Sequence, residues 1–394
     1  MKNKSWTLQN KTLLVLDTAL LVIGLWAPLA PNFLAKGIVS ATFLYILIRS
    51  VNHYVIKKYK IFKFIVLILL FPGIVWATTL SPYDAIRFLP ILLLVFCFPF
   101  NCLKLKFEFL GATSFLIILF LVFGQIGILL GNDFALSFRE KFYAIDQNLW
   151  SNSSEYHVAN TIFYRFREFR AAGFLYNPNL YSLLLSLYLF IFFQILYKQD
   201  FLQLNGCNFL KGFIFIFVGA LVVFSIYLSG SRTGLLVVLV YFAIILSINL
   251  KIEGIFYAAT LLFFFLFSCS FFIIYNKEAF WSNTFGPEGS IGIKLSVVRE
   301  YLYQAETVNI ISGGEFFILL DTEYSYWLAA GGVVGLVGVG LFYLFYFWNV
   351  VALRPIVLCL LLTSLTNSVF YGLQSGVVAT LLFVIVTNYQ YRCR

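Results

Sequence analysis

Apolar runs of about 18 residues or more recur along the whole of this sequence, and they restrict the chain to very few folds. Each run can cross the hydrocarbon core of a bilayer as a helix. Backbone N–H and C=O groups inside lipid must bond within the protein, so only helices and closed barrels span it. A barrel needs alternating segments of about 10 residues, and the sequence has none. Only 11% of the 394 residues are charged, against roughly a quarter in a soluble domain. The expected fold is therefore all-α: a polytopic membrane protein of about twelve transmembrane helices, with 1–394 forming a single integral membrane domain.

The spans are read as 13–29, 33–50, 62–79, 87–102, 109–130, 174–197, 212–228, 233–250, 254–275, 323–349, 355–371 and 376–391. The first run is followed by many others, so it is not read as a cleaved signal peptide. Charge tests the reading. One alternating set of connectors carries Lys2, Lys4 and Lys11; Arg49, Lys57, Lys58, Lys60 and Lys63; Lys104 and Lys106; Lys198 and Lys211; Lys251; Arg354; and Arg392 and Arg394. The other set holds most of the acids and two long loops, 132–172 and 276–322. Lysine and arginine accumulate on the cytoplasmic side, so both termini are expected inside and the long loops outside. The net charge of +10 is topological on this reading and does not indicate nucleic acid.

The six cysteines (97, 102, 207, 269, 359 and 393) lie in apolar runs or short basic turns, so no disulfide framework is expected. No internal repeat and no soluble domain stand out. The outer loops keep aromatics such as Trp150, Phe163, Trp281 and Tyr301, which argues for ordered segments against the membrane. Leu295, Val298, Leu302 and Ala305 recur at helical spacing and predict an amphipathic helix within 292–311.

The ionisable groups that suggest chemistry gather on the outer face. "SGSRTG" (229–234) sets Arg232 among small residues at the outer end of a span. "YRFREFRAAGFLYNPNL" brings Arg165, Arg167 and Arg170 close to Asn177-Pro178-Asn179, a pattern that predicts a helix start. Helix N-termini and arginines together favour anions, phosphate above all. The second loop adds Lys294, Arg299, Glu315, Asp321 and Glu323. Other roles are open to each. An arginine at a span end also snorkels to lipid headgroups, and Asp321 and Glu323 suit plain water-facing positions at a boundary. Tyr324, Tyr326 and Trp327 read as an interfacial aromatic belt. His53 and His157 are too isolated for a metal site, and no nucleotide loop or Ser-His-Asp set is present. No metal and no cofactor are expected.

The segments "RAAGFLYNPNLYS" (170–182), "SGSRTGLL" (229–236), "VVREYL" (297–302), "GGE" and "AAGGVVGLVG" (329–338) resemble the O-antigen ligase/polymerase superfamily of bacterial membrane glycosyltransferases. The resemblance covers about residues 160–340 and implies a GT-C-like helical fold in the inner membrane with two larger periplasmic loops. It implies substrates carried on undecaprenyl pyrophosphate, donor and acceptor alike, with a chain-length regulator as partner. By motif position, Arg170, Arg232 and Arg299 would hold the pyrophosphate, with Arg167, Asn177, Asn179 and Glu315 as further contacts to glycan or phosphate. Ligases of the superfamily usually carry a histidine where this chain has "LLDTEYSYWLAAGG"; Asp321 and Glu323 stand there instead. The expected activity is thus polymerisation of lipid-linked repeat units, with Glu323 or Asp321 as base. Alternatives are a ligase transferring glycan to lipid A–core, a transporter or flippase of lipid-linked sugars, and a peptidoglycan polymerase of the shape-and-division type.

Overall fold

A computed structural model of the chain describes residues 2–30, 32–52, 59–80, 88–100, 102–143, 163–165, 168–170, 173–175, 178–198, 208–249, 254, 311, 323–364, 369 and 373–392. Helices dominate these residues. They are α1 (Lys2–Trp26), α2 (Asn32–Asn52), α3 (Lys60–Leu80), α4 (Leu89–Cys97), α5 (Phe107–Leu129), α6 (Asp133–Tyr143), α7 (Pro178–Lys198), α8 (Asn208–Leu228), α9 (Arg232–Asn249), α10 (Glu323–Asn349), α11 (Arg354–Ser364) and α12 (Leu373–Arg392). Strands β1 (Phe163–Arg165) and β2 (Glu168–Arg170) form an antiparallel hairpin inside the first expected loop, with Phe163 opposite Arg170.

A helix lies over each expected span except the ninth, of which only residue 254 is described. Four stretches are long and apolar enough to cross a bilayer: Asn10–Leu29, Phe107–Leu129, Pro178–Leu196 and Tyr326–Asn349. They fit a helical membrane protein. Two helices are shorter than the sequence predicts. The span expected at 87–102 is helical only over Leu89–Cys97, roughly 14 Å at about 1.5 Å per residue. Pro99 has no N–H to continue the ladder, and Phe100 follows with φ +61°. The span expected at 355–371 is helical from Arg354 to Ser364, and 365–368 lie outside the described residues.

The chain divides into two compact units. Unit 1 comprises Met1–Val55, Cys97–Val238 and Leu373–Arg394; unit 2 comprises Ile56–Phe96 and Leu239–Gly372. In unit 1, α7 is the core. Leu184, Leu185, Tyr188, Leu189 and Phe190 are fully buried, so the helix is enclosed nearly all round. It packs against α5, α8 and α12, and the Tyr188 hydroxyl donates to the Leu25 carbonyl of α1 at 2.6 Å. At one end of the unit the Gln374 amide donates to the Pro28 carbonyl at 3.2 Å. At the other, the Asn388 amide donates to the carbonyls of Phe100 (2.6 Å) and Leu103 (2.9 Å).

In unit 2, α3 and α10 lie along each other through small residues. A Cβ on Gly73 would meet the Gly331 nitrogen at 3.6 Å, and one on Gly338 would meet Leu69 Cβ at 2.9 Å. Small residues let helix backbones approach closely where lipid removes any hydrophobic drive between helices. Lys63 is buried and donates from Nζ to the Phe96 carbonyl at 2.8 Å, a cation on the negative end of α4. Helix α10 is broken at Gly332 (φ 61°, ψ −160°), a conformation only glycine adopts readily.

Two expected belt residues prove to be core. Tyr326 and Trp327 are buried, and Phe88 meets the Trp327 ring edge-on at 5.0 Å and the Tyr326 ring at 6.0 Å. Neighbouring helices of unit 2 cover the first turns of α10, so these rings face protein. Tyr324 is half-buried and donates to the Leu361 carbonyl at 3.2 Å.

Candidate functional site

The "SGSRTG" stretch is a helix–helix corner in unit 1. Helix α8 stops after Leu228, and Gly230 adopts φ +64° with its N–H on the Tyr227 carbonyl at 2.9 Å. A left-handed glycine just past the last turn is a common helix stop. Ser231 then caps α9: its Oγ accepts from the Gly234 N–H at 3.3 Å. Arg232 is the first residue of α9.

The corner is fastened to the start of α7. Ser182 hydrogen-bonds Ser231 Oγ at 2.7 Å, and its Oγ lies 2.9 Å from the Asn179 carbonyl. A Cβ on Gly234 would sit 2.6 Å from Ser182 Cβ, so glycine is needed for this approach. The helix start predicted from Asn177-Pro178-Asn179 is where α7 begins, at Pro178. Two helix N-termini therefore lie side by side. Each carries the positive end of its helix dipole.

Beneath the corner lies a closed polar network. Gln125 Nε2 donates to the Ser225 carbonyl at 3.0 Å, and Gln125 Oε1 accepts from Ser225 Oγ and from the Tyr181 hydroxyl at 3.3 Å. The Tyr181 and Ser225 hydroxyls are 2.6 Å apart. All three side chains are fully buried. Buried polar groups without partners are costly, so the network fixes the mutual register of α5, α7 and α8.

The turn Gly173–Leu175 packs on the same end. Gly173 has φ +58°, and a Cβ there would meet the Tyr181 ring at 3.2 Å. The Phe174 ring occupies the space a Cβ on Gly124 would take. Arg170 ends β2, three residues before Gly173. A chain that short reaches no more than about 11 Å. Arg170 and Arg232 thus belong to one end of unit 1.

The other expected site residues stand as follows. Glu323 opens α10 in unit 2. Asn179 is the second residue of α7 and half-buried. Asp321, Arg299, Arg167, Asn177 and Glu315 lie outside the described residues, as do His157 and nearly all of the second loop, 276–322. Cys97, Cys102 and Cys359 are buried and form no disulfide among the described residues. Among the described residues, no three of His, Cys, Asp or Glu gather as metal ligands would.

One cluster was not foreseen as a site. Asp17, fully buried in α1, is the hub of an ion-pair network at the opposite end of unit 1. Arg49 Nε donates to Asp17 Oδ1 at 3.2 Å and Arg49 Nη2 to Oδ2 at 3.3 Å. The Tyr45 hydroxyl donates to Asp17 Oδ1, and the Lys104 backbone N–H to Oδ2 at 2.6 Å. The sequence signal is Asp17 itself, an acid within the first expected span. Arg49 and Lys104 were read only as topological charges.

No family model matches the chain, and no curated protein matches it.

Proposed function

We propose that the protein polymerises undecaprenyl-pyrophosphate-linked oligosaccharide repeat units at the periplasmic face of the bacterial inner membrane. The growing glycan on its lipid is the donor, and the end sugar of a new lipid-linked unit is the acceptor. The acceptor hydroxyl oxygen attacks the donor's anomeric carbon. Its proton passes to Glu323 or Asp321, and the carbon–oxygen bond to pyrophosphate breaks. The lipid pyrophosphate departs with that electron pair. Arg170, Arg232 and Arg299 neutralise it, as preplaced cations stabilise charge that develops in a transition state. Arginine suits this role because it offers a planar fork of donors and keeps its charge. Arginines can neutralise a pyrophosphate without a metal.

One observation carries the reading: the first turn of α9, which holds Arg232, is bonded to the first turn of α7 through Ser182 and Ser231. An anion near two converging helix N-termini is favoured by about 0.3–1 kcal/mol at each of them. The lysine-bearing connectors lie at the other end of the unit, which supports an outward-facing site.

The test is the surface-glycan ladder of a strain lacking this protein. Single repeats attached to core are expected. Long lipid-linked polymer left uncoupled would make it a ligase instead, and an unaltered ladder would refute the proposal.

A further inference from the structure

We infer that Lys11, Arg49, Lys104 and Lys106 form a headgroup site for an anionic phospholipid, organised by Asp17. The inference is independent of the catalytic reading and concerns the opposite end of unit 1.

Arg49, Lys104 and Lys106 are held in place, and Lys11 is exposed beside Asn10 on α1. Lys104 and Lys106 lie on the short connector that leads into α5. Its backbone is fixed at two points: the Lys104 N–H on Asp17 Oδ2 (2.6 Å) and the Lys106 N–H on Thr18 Oγ1 (3.0 Å). Arg49 is fixed by the same carboxylate and also donates from Nη2 to the Cys102 carbonyl at 2.9 Å. The Lys104 ammonium folds back onto Asn10 Oδ1, beside Lys11. Lys106 stands over the Phe109 ring at 5.6 Å. Lys11 and Lys106 are exposed, and Arg49 and Lys104 are half-buried, so the cluster opens outward.

The flanks select the ligand. Val15, Leu16, Ile48 and Phe109 are exposed within about two turns of these cations, on the same helices. A phosphate bound here would have apolar side chains running away from it along α1, α2 and α5. That arrangement suits a phosphate carrying acyl chains. Basic pockets between spanning helices on the cytoplasmic side are known to hold anionic headgroups. Lysine-rich connectors mark this end as cytoplasmic. Asp17 neutralises one charge of the cluster, yet it orders the remainder.

The last point gives the discriminating experiment. Full-length protein is taken from nanodiscs containing equal phosphatidylglycerol and phosphatidylcholine, and retained lipid is counted by native mass spectrometry. Wild type is expected to retain phosphatidylglycerol preferentially. Lys104→Ala with Lys106→Ala keeps both backbone hydrogen bonds and should weaken that retention roughly fivefold per lysine. Asp17→Asn removes an acid and raises the net charge. Plain electrostatic attraction would then retain more phosphatidylglycerol, whereas an organised site retains less. Added inorganic phosphate should not displace the lipid. Equal retention by the lysine variant, tighter retention by Asp17→Asn, or displacement by free phosphate would each overturn the assignment. If Asp17→Asn fails to fold, the lysine variant decides alone.

Discussion

Ser182 and Ser231 are joined by a 2.7 Å hydrogen bond across two helices, and the bond is reachable because residue 234 has no side chain. Gly234→Ala would press a methyl group into Ser182. Overpacking of this kind costs about 1–3 kcal/mol. Thermal unfolding in detergent should show a lowered midpoint; an unchanged one would mean that α7 and α9 do not meet as described.

Gln125→Leu should also destabilise the protein. It removes the donor to the Ser225 carbonyl and the acceptor shared by the Ser225 and Tyr181 hydroxyls, all of them fully buried. Leaving a buried donor or acceptor unmet costs about 1–3 kcal/mol. Tyr181→Phe should cost less, near the average of about 0.6 kcal/mol for single hydrogen bonds between membrane helices. The order of the two midpoints is the check: Gln125→Leu must lie below Tyr181→Phe.

Arg49→Ala leaves the Asp17 carboxylate buried without its cation. Breaking such a pair from one side costs about 3–5 kcal/mol. The companion Asp17→Asn, Arg49→Gln double variant should be milder than Arg49→Ala alone, because no charge is stranded. Additive losses in a double-mutant cycle would contradict the pairing.

Arg232→Ala should abolish the glycan ladder while membrane insertion is retained. Arg232→Lys should restore it only in part, since a point charge replaces a bidentate fork. Full activity of the lysine variant would remove bidentate phosphate binding from the mechanism.

Glu323→Gln and Asp321→Asn separate the two candidates for the base. General bases contribute about 10²–10⁴-fold, so one amide substitution should suppress ladder formation by that order and the other should leave most of it. Retention of the ladder in both variants would exclude a carboxylate base at this position.

The helices were legible because length and apolarity are local signals. α5 and α7 each form near the stretch their apolar runs predict, and Pro178 marks its helix start as expected. The shortening of α4 was carried by Pro99, a local signal that the apolar run concealed. The polar corner was half legible. "SGSRTG" announced a turn with a cation, but the amide beneath it did not announce its partners. Gln125 and Ser225 are 100 residues apart, and Tyr45 and Asp17 are 28 apart. Such pairings arise only when helices pack, and no window of sequence contains them. Tyr326 and Trp327 misled for a related reason: aromatic residues near a span end suit an interface, and their burial against Phe88 arises only when the helices of unit 2 pack.

The interruption at Gly332 has mechanical meaning. The stretch 323–331 is not the upper part of a stiff rod crossing the bilayer. The kink gives this segment a heading of its own, held by the packing of Tyr326 and Trp327 against Phe88.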